Sequence, residues 1–154
     1  MKLFLIASLL ATAACTGDAV TPTVEIVSAS PDALVPADDS ADDLTIVIRY
    51  HDPDGDLVSG VAEVHDCRAD NLVTTLDIPP IASDDAVAAS VPITGTLQLV
   101  VADVGDITPD RILPAACADT TTTVTATETP FCVILVDSAD NPSPPACTAP
   151  VQIE

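Results

Sequence analysis

The sequence predicts an all-β domain, an antiparallel sandwich of about seven short strands. Three observations lead there. Of the 24 acidic residues, 20 are Asp and only 4 are Glu, and Asp favours turns and caps where its short side chain bonds nearby backbone. With four Lys and Arg in the chain, there is no supply of the oppositely charged pairs one turn apart that support helices. The apolar residues are mostly Val, Ile, Leu and Ala, interleaved with Thr and broken by 14 Pro, the composition of short strands and sharp connections. A hydrophobic fraction of 48% is too high for a chain kept disordered by its charge.

The expected strands follow in order. Residues 23–28 form the first, with Val24 and Ile26 on one face. Residues 30–43 read as an acidic loop holding Pro31 and Pro36. Residues 44–50 alternate most cleanly, placing Leu44, Ile46, Ile48 and Tyr50 on one side. The chain then turns at Asp52-Pro53-Asp54-Gly55-Asp56, where Pro and Gly supply the dihedrals of a tight turn. Residues 57–66 are expected to continue as strand. Residues 71–78, 86–93 and 96–104 give three more, separated by Pro79-Pro80 and Gly95. Residues 105–119 are a longer connection carrying Cys117, residues 120–127 a β-prone threonine run suited to a solvated edge strand, residues 131–137 the penultimate strand, and residues 151–154 the last.

Before the domain stands a leader. Lys2 opens it, Leu3 to Leu10 are almost all apolar, and Ala11 to Ala14 are small residues of the kind a signal peptidase accepts. The apolar run is too short to span a bilayer, which takes about 20 residues. Cys15 follows directly. Residues 1–15 thus resemble the leader of bacterial lipoprotein precursors, with Thr12 where that family usually has Leu. The resemblance implies that residues 1–14 are removed and that Cys15 is acylated, so that it anchors the chain in the lipid bilayer. Thr16, rather than Asp, implies by the same resemblance an outer-membrane destination. The alternative is ordinary secretion, since Ala11-Thr12-Ala13 also fits a cleavage site. Residues 15–22 then form a short polar tether, and residues 23–154 the domain. Five cysteines are an awkward number for an oxidising compartment; acylating Cys15 leaves Cys67, Cys117, Cys132 and Cys147, enough for two disulfides.

Two stretches carry a second resemblance. Ser59-Gly60-Val61-Ala62-Glu63-Val64 is similar to the third strand of bacterial immunoglobulin-like domains. Phe131-Cys132-Val133-Ile134-Leu135-Val136-Asp137, followed by Ser138-Ala139-Asp140-Asn141, is similar to their penultimate strand and the turn after it. The wider group includes fibronectin-like and cadherin-like domains of bacterial surfaces, and there is no Trp for an antibody-type core. The resemblance implies an immunoglobulin-like sandwich whose third and penultimate strands are antiparallel neighbours. With Val64 and Val133 facing the core, Cys67 and Cys132 both face outward. On that implied neighbourhood Cys67–Cys132 and Cys117–Cys147 are the expected disulfides, and the two other connectivities stay open.

Function is bounded mainly by charge. A formal net charge of −20 argues against nucleic acid and against electrostatic binding to anionic lipid, and favours divalent cations. Asp52, Asp54, Asp56 and Glu63 match carboxylate places of a calcium-loop template, whose demand is hard oxygens converging on one ion. Leu57 stands where the helical version of that loop needs Gly, and the flanks read as strands, so a looser calcium site at a strand turn is the form it would take. His51 and His65 fall at strand ends where a solvated imidazole is ordinary. No nucleophile, phosphate-loop or zinc-protease motif occurs. The absence of Trp, with one Tyr, leaves little for stacking sugars. The expectation is a non-enzymatic, membrane-anchored envelope domain with a recognition or structural role. The alternatives are a calcium-dependent structural or adhesion module and a plainly secreted acidic β-sandwich. The sequence names no protein partner.

Overall fold

The computed structural model describes residues 20–35, 43–69, 73–79, 91–102, 104, 114–118 and 124–154. The clean alternation of residues 44–50 produces β3 (Leu44–Asp52), which lies at the centre of the first sheet between β1 (Thr23–Ser30) and β6 (Ile93–Val101), all antiparallel. Leu44, Ile46, Ile48 and Tyr50 point inward, as the period of two requires.

β6 begins before Gly95 rather than after it. Gly95 opposes Tyr50 in the register, and a Cβ there would lie 2.5 Å from the tyrosine Oη and 2.8 Å from two ring carbons. The glycine read as a separator is the space the aromatic ring occupies inside a strand.

The second sheet has the order β5-β4-β8-β9, from β5 (Val73–Asp77), β4 (Val61–Asp66), β8 (Phe131–Val136) and β9 (Ala146–Cys147), again antiparallel. The expected neighbourhood of β4 and β8 is found. A small third sheet joins β2 (Ala33–Leu34), β10 (Val151–Ile153) and β7 (Glu128–Thr129), with β10 parallel to β2 and antiparallel to β7. Pro31, which has no N–H to give a ladder, separates β1 from β2 at the point where the chain leaves the first sheet.

Inward residues of both large sheets form one core: Ile46, Ile48, Leu97 and Leu99 from the first meet Ala62, Val64, Val133 and Leu135 from the second, and Leu34, Val151 and Ile153 close one side. The domain is therefore the all-β antiparallel sandwich that composition and alternation predict.

Local departures have local causes. Residues 57–59 do not continue as strand; Asp56–Ser59 is a 3-10 turn. Gly55 sits in the left-handed region at φ 79°, the Asp52 carboxylate accepts the Leu57 N–H at 2.7 Å, and Leu57 is driven into the core. Within the threonine run, Thr125 makes only an isolated bridge to Glu128, and the chain turns at residues 126–127. Residues 36–42, 80–90, 105–113 and 119–123, which include most of the strand expected at 86–93 and part of the threonine run, lie outside the described residues, as do Cys15 and the leader.

The outer face of the second sheet carries a second, smaller core of Cys67, Ala116, Cys117 and Cys132, with Val124, Ile134 and Cys147 packed against it. Cys67 and Cys132 do face outward and lie together, but they are not bonded. The disulfides are Cys67–Cys117 and Cys132–Cys147, which corrects the expected connectivity of Cys67–Cys132 and Cys117–Cys147. The cause is tertiary. β9 places Cys147 directly opposite Cys132 on the neighbouring strand, and the 3-10 turn Ala115–Cys117 brings Cys117 onto the end of β4.

Candidate metal centre

β3 alternates through to its last residue, so Asp52 has the same inward parity as Ile48 and Tyr50 and is fully buried. One of its oxygens, Oδ2, is satisfied by the Leu57 N–H. The other, Oδ1, is buried with no hydrogen-bond partner. The turn that follows folds Asp54 and Asp56 back over this carboxylate, and Oδ1 of each is likewise buried and unpartnered. One ligand oxygen from each of the three lies within 4.8 Å of the others. Calcium binds oxygens at about 2.3–2.6 Å, so oxygens spaced like this can share one ion.

Electrostatics show the cost of leaving the carboxylates together. Burial is the main cause that pushes Asp54 up from 3.8 to about 6, helped by the neighbouring Asp52 carboxyl and by the charge of Asp56. Asp56 is also raised, first by burial and then by the charges of Asp137 and Asp52, against a lowering hydrogen bond from Ser138. The Tyr50 hydroxyl is raised by burial and by the Asp52 charge. Each raised group reports the same condition, negative charge gathered where water is scarce.

A second turn closes against the first. Asp137, buried at the end of β8, accepts the N–H groups of Ala139 and Asn141 at 2.9 and 2.8 Å through Oδ1 and the Asn141 side-chain amide at 3.0 Å through Oδ2. This is the Asp-x-x-x-Asn turn anticipated after the penultimate strand. Its carboxylate oxygens are spent on these donors, so it acts on the acidic turn as a neighbouring charge.

Of the four residues matched to the calcium template, the structure brings together Asp52, Asp54 and Asp56 and leaves Glu63 elsewhere. The 3-10 turn and Gly60 carry the chain across to the second sheet. Glu63 stands there on the outer side of β4, with Oε2 3.5 Å from Nε2 of His65. The template spacing assumed a loop that curls back; this chain crosses between sheets instead. His51 is exposed on β3, so the two histidines share no site.

Sequence reasoning missed one buried ionic group. Arg68 is fully buried, and Asp66 receives its Nε at 3.1 Å on each oxygen, its Nη2 at 2.7 Å and its backbone N–H at 2.9 Å. The available signal was the scarcity of basic residues: an Arg two places after an Asp at a strand end, in a chain this acidic, has a partner at hand.

The sheets, the two disulfides and the carboxylate cluster define an acidic, disulfide-bonded all-β domain. Compared with known proteins, the chain matches no family model, no curated protein and no solved structure. Any functional reading therefore rests on the residues themselves.

Proposed function

We propose that this chain is a non-enzymatic, lipid-anchored envelope module whose β-sandwich is stiffened by calcium at the turn Asp52–Asp56. The observation that carries the calcium part is the buried, unpartnered Oδ1 of Asp52, in a cluster where one carboxylate oxygen from each of Asp52, Asp54 and Asp56 lies within 4.8 Å of the others. A buried carboxylate oxygen without a donor is costly, and a hard cation removes that cost while neutralising the repulsion beside it. The three carboxylates supply three oxygens of a calcium shell of about six to eight; water and backbone carbonyls would complete it. The anchor part is supported by Lys2, the apolar run, Ala11 to Ala14 and Cys15. An anchored, rigid sandwich with no motif for chemistry suits a structural or recognition role at the envelope.

Calcium would be read by thermal unfolding. Extracellular-type sites bind at about 10⁻⁴ to 10⁻³ M, so ~1 mM calcium over a ~0.1 mM site stabilises by about 1.4 kcal/mol, or roughly 2–6 °C in Tm. The shift should persist in physiological salt, which screens general repulsion, and should vanish in the Asp54→Ala, Asp56→Ala double variant. An equal shift with magnesium at matched ionic strength would refute the site. The anchor would be read by detergent-phase partitioning, which Cys15→Ser should abolish, since stable anchoring takes two acyl chains or more. An unacylated N-terminus in the wild type would instead identify the plainly secreted form.

A further inference from the structure

Sγ of Cys67 and Sγ of Cys132 belong to different disulfides, yet they lie 3.4 Å apart. Cys67, Cys117 and Cys132 offer sulfurs all within 4.8 Å of one another, and each of the three residues is fully buried. Cys147 differs: it is half-buried, its Sγ lies 3.9 Å from the Ala116 carbonyl oxygen, and it lines an open cleft of about 280 Å³ between β1 and the β9–β10 connection. Thiol–disulfide exchange needs a thiolate within contact distance of a disulfide sulfur and a route by which a first thiolate is made.

We propose that the four cysteines form a single exchange unit, in which a thiol attacking at Cys147 is relayed through Cys132 to the buried Cys67–Cys117 bond and switches the connectivity to Cys67–Cys132 and Cys117–Cys147. The partner is a thiolate donor, either a small thiol or the active-site cysteine of a thiol–disulfide exchange protein. Its thiolate bonds to the Cys147 sulfur, the Cys132–Cys147 bond breaks, and Cys132 leaves with the electron pair. Freed from Cys147, the Cys132 side chain turns until its sulfur is in line with the Cys67–Cys117 bond; its thiolate then bonds to the Cys67 sulfur, the Cys67–Cys117 bond breaks, and Cys117 leaves as thiolate. Cys117 finally bonds to Cys147 and expels the donor thiolate unchanged. Two disulfides are present at the start and two at the end, so no oxidant or reductant is consumed.

The consequence is mechanical. In the observed pairing, Cys117 ties the 3-10 turn Ala115–Cys117 to the end of β4. In the exchanged pairing, the same turn is tied to β9, and β4 is bonded directly to β8. None of the acidic residues of the turn Asp52–Asp56 takes part in the route, so failure of the calcium reading leaves it standing.

The test uses the exported chain carrying Cys15→Ser, which removes the one other cysteine. With Cys147→Ser added, Cys132 is left as a thiol against Cys67–Cys117, and incubation in mildly alkaline buffer, which favours the attacking thiolate, should let it exchange without help. Acid-quenched, non-reducing peptide mapping should find Cys67–Cys132 at about a tenth or more of the Cys67–Cys117 level, a gap within about 1.4 kcal/mol. Cys67–Cys117 alone, with Cys132 fully alkylated, would overturn the proposal. A second arm does not depend on the variant's folding: all four cysteines are kept, and substoichiometric reduced glutathione is added to the native protein. It should generate Cys67–Cys132 and Cys117–Cys147 peptides within hours; persistence of the original pairs alone would overturn the relay.

Discussion

Ser138 donates to Asp56 twice, from its backbone N–H to the Asp56 carbonyl oxygen at 3.3 Å and from its hydroxyl to Oδ2 at 3.3 Å. These two bonds fasten the turn after β8 to the turn after β3, residues far apart in the chain. They bring Asp137 close enough to raise Asp56. The acidic turn is thus a junction between the two sheets, which is why a cation there would act on the stability of the whole sandwich.

The pH dependence of the calcium-free protein follows from that junction. Asp54 is raised to about 6 and Asp56 is raised as well. A carboxylate raised on folding stabilises fully below its unfolded value, and this contribution is lost as pH rises through the folded value. In chelator, Tm should fall between about pH 4 and about pH 7, and Asp54→Asn should flatten the fall. A Tm that instead rises across this window would show that the repulsion is absent.

Arg68 and Asp66 set the second prediction. Removing one partner of a buried ion pair costs about 3–5 kcal/mol. Asp66→Ala should lower the unfolding free energy from urea titration by that much, through a lower midpoint at little changed slope, whereas Glu25→Ala, which breaks the exposed Arg49–Glu25 pair at 2.8 Å, should cost about 0–1 kcal/mol. Equal effects of the two variants would contradict the burial described for Arg68.

Gly95 gives a steric test. Gly95→Ala places a methyl against the Tyr50 ring, and forcing a packed aromatic aside costs about 1–3 kcal/mol. Val100→Ala, at an exposed position on the same strand, should change stability by about 0.5 kcal/mol or less. Chemical denaturation of the two variants decides the matter, and a neutral Gly95→Ala would mean that the ring does not cover the glycine.

Asp137 tests the turn that backs the site. Asp137→Ala leaves the N–H groups of Ala139 and Asn141 without their acceptor, worth about 1–3 kcal/mol if they are left unsatisfied. The same change removes a negative charge beside Asp56, so the variant's stability should also fall less steeply with pH than that of the wild type. Loss of stability with an unchanged pH slope would separate the two roles and leave Asp137 as a turn residue only.

Much of the sandwich was legible because alternation is a local property. Leu44 to Tyr50 specify their own inward face, and the same count carries on to Asp52. The composition of the turn told that the chain reverses there, and outward parity told that Cys67 and Cys132 share a face. Gly95 and residues 57–59 were misread for one reason: a glycine inside a strand and a strand-like run after a turn take their meaning from what packs on them, here the Tyr50 ring and the Asp52 carboxylate.

By itself, then, the sequence determined an all-β chain, the strands that build the core, and a carboxylate-rich turn at the end of β3. Only the tertiary structure decided that the Asp52 oxygen is buried without a donor, that Glu63 departs to the other sheet, that Arg68 is sealed against Asp66, and which cysteines are bonded. The physical reason is range. A period of two is set between neighbouring residues, whereas burial and partner choice depend on segments that meet only after the two sheets have closed. Cys67, Cys117 and Cys132 gather in one buried cluster with Cys147 packed against it; parity leaves every pairing open there, and the paths of β9 and the Ala115–Cys117 turn select one.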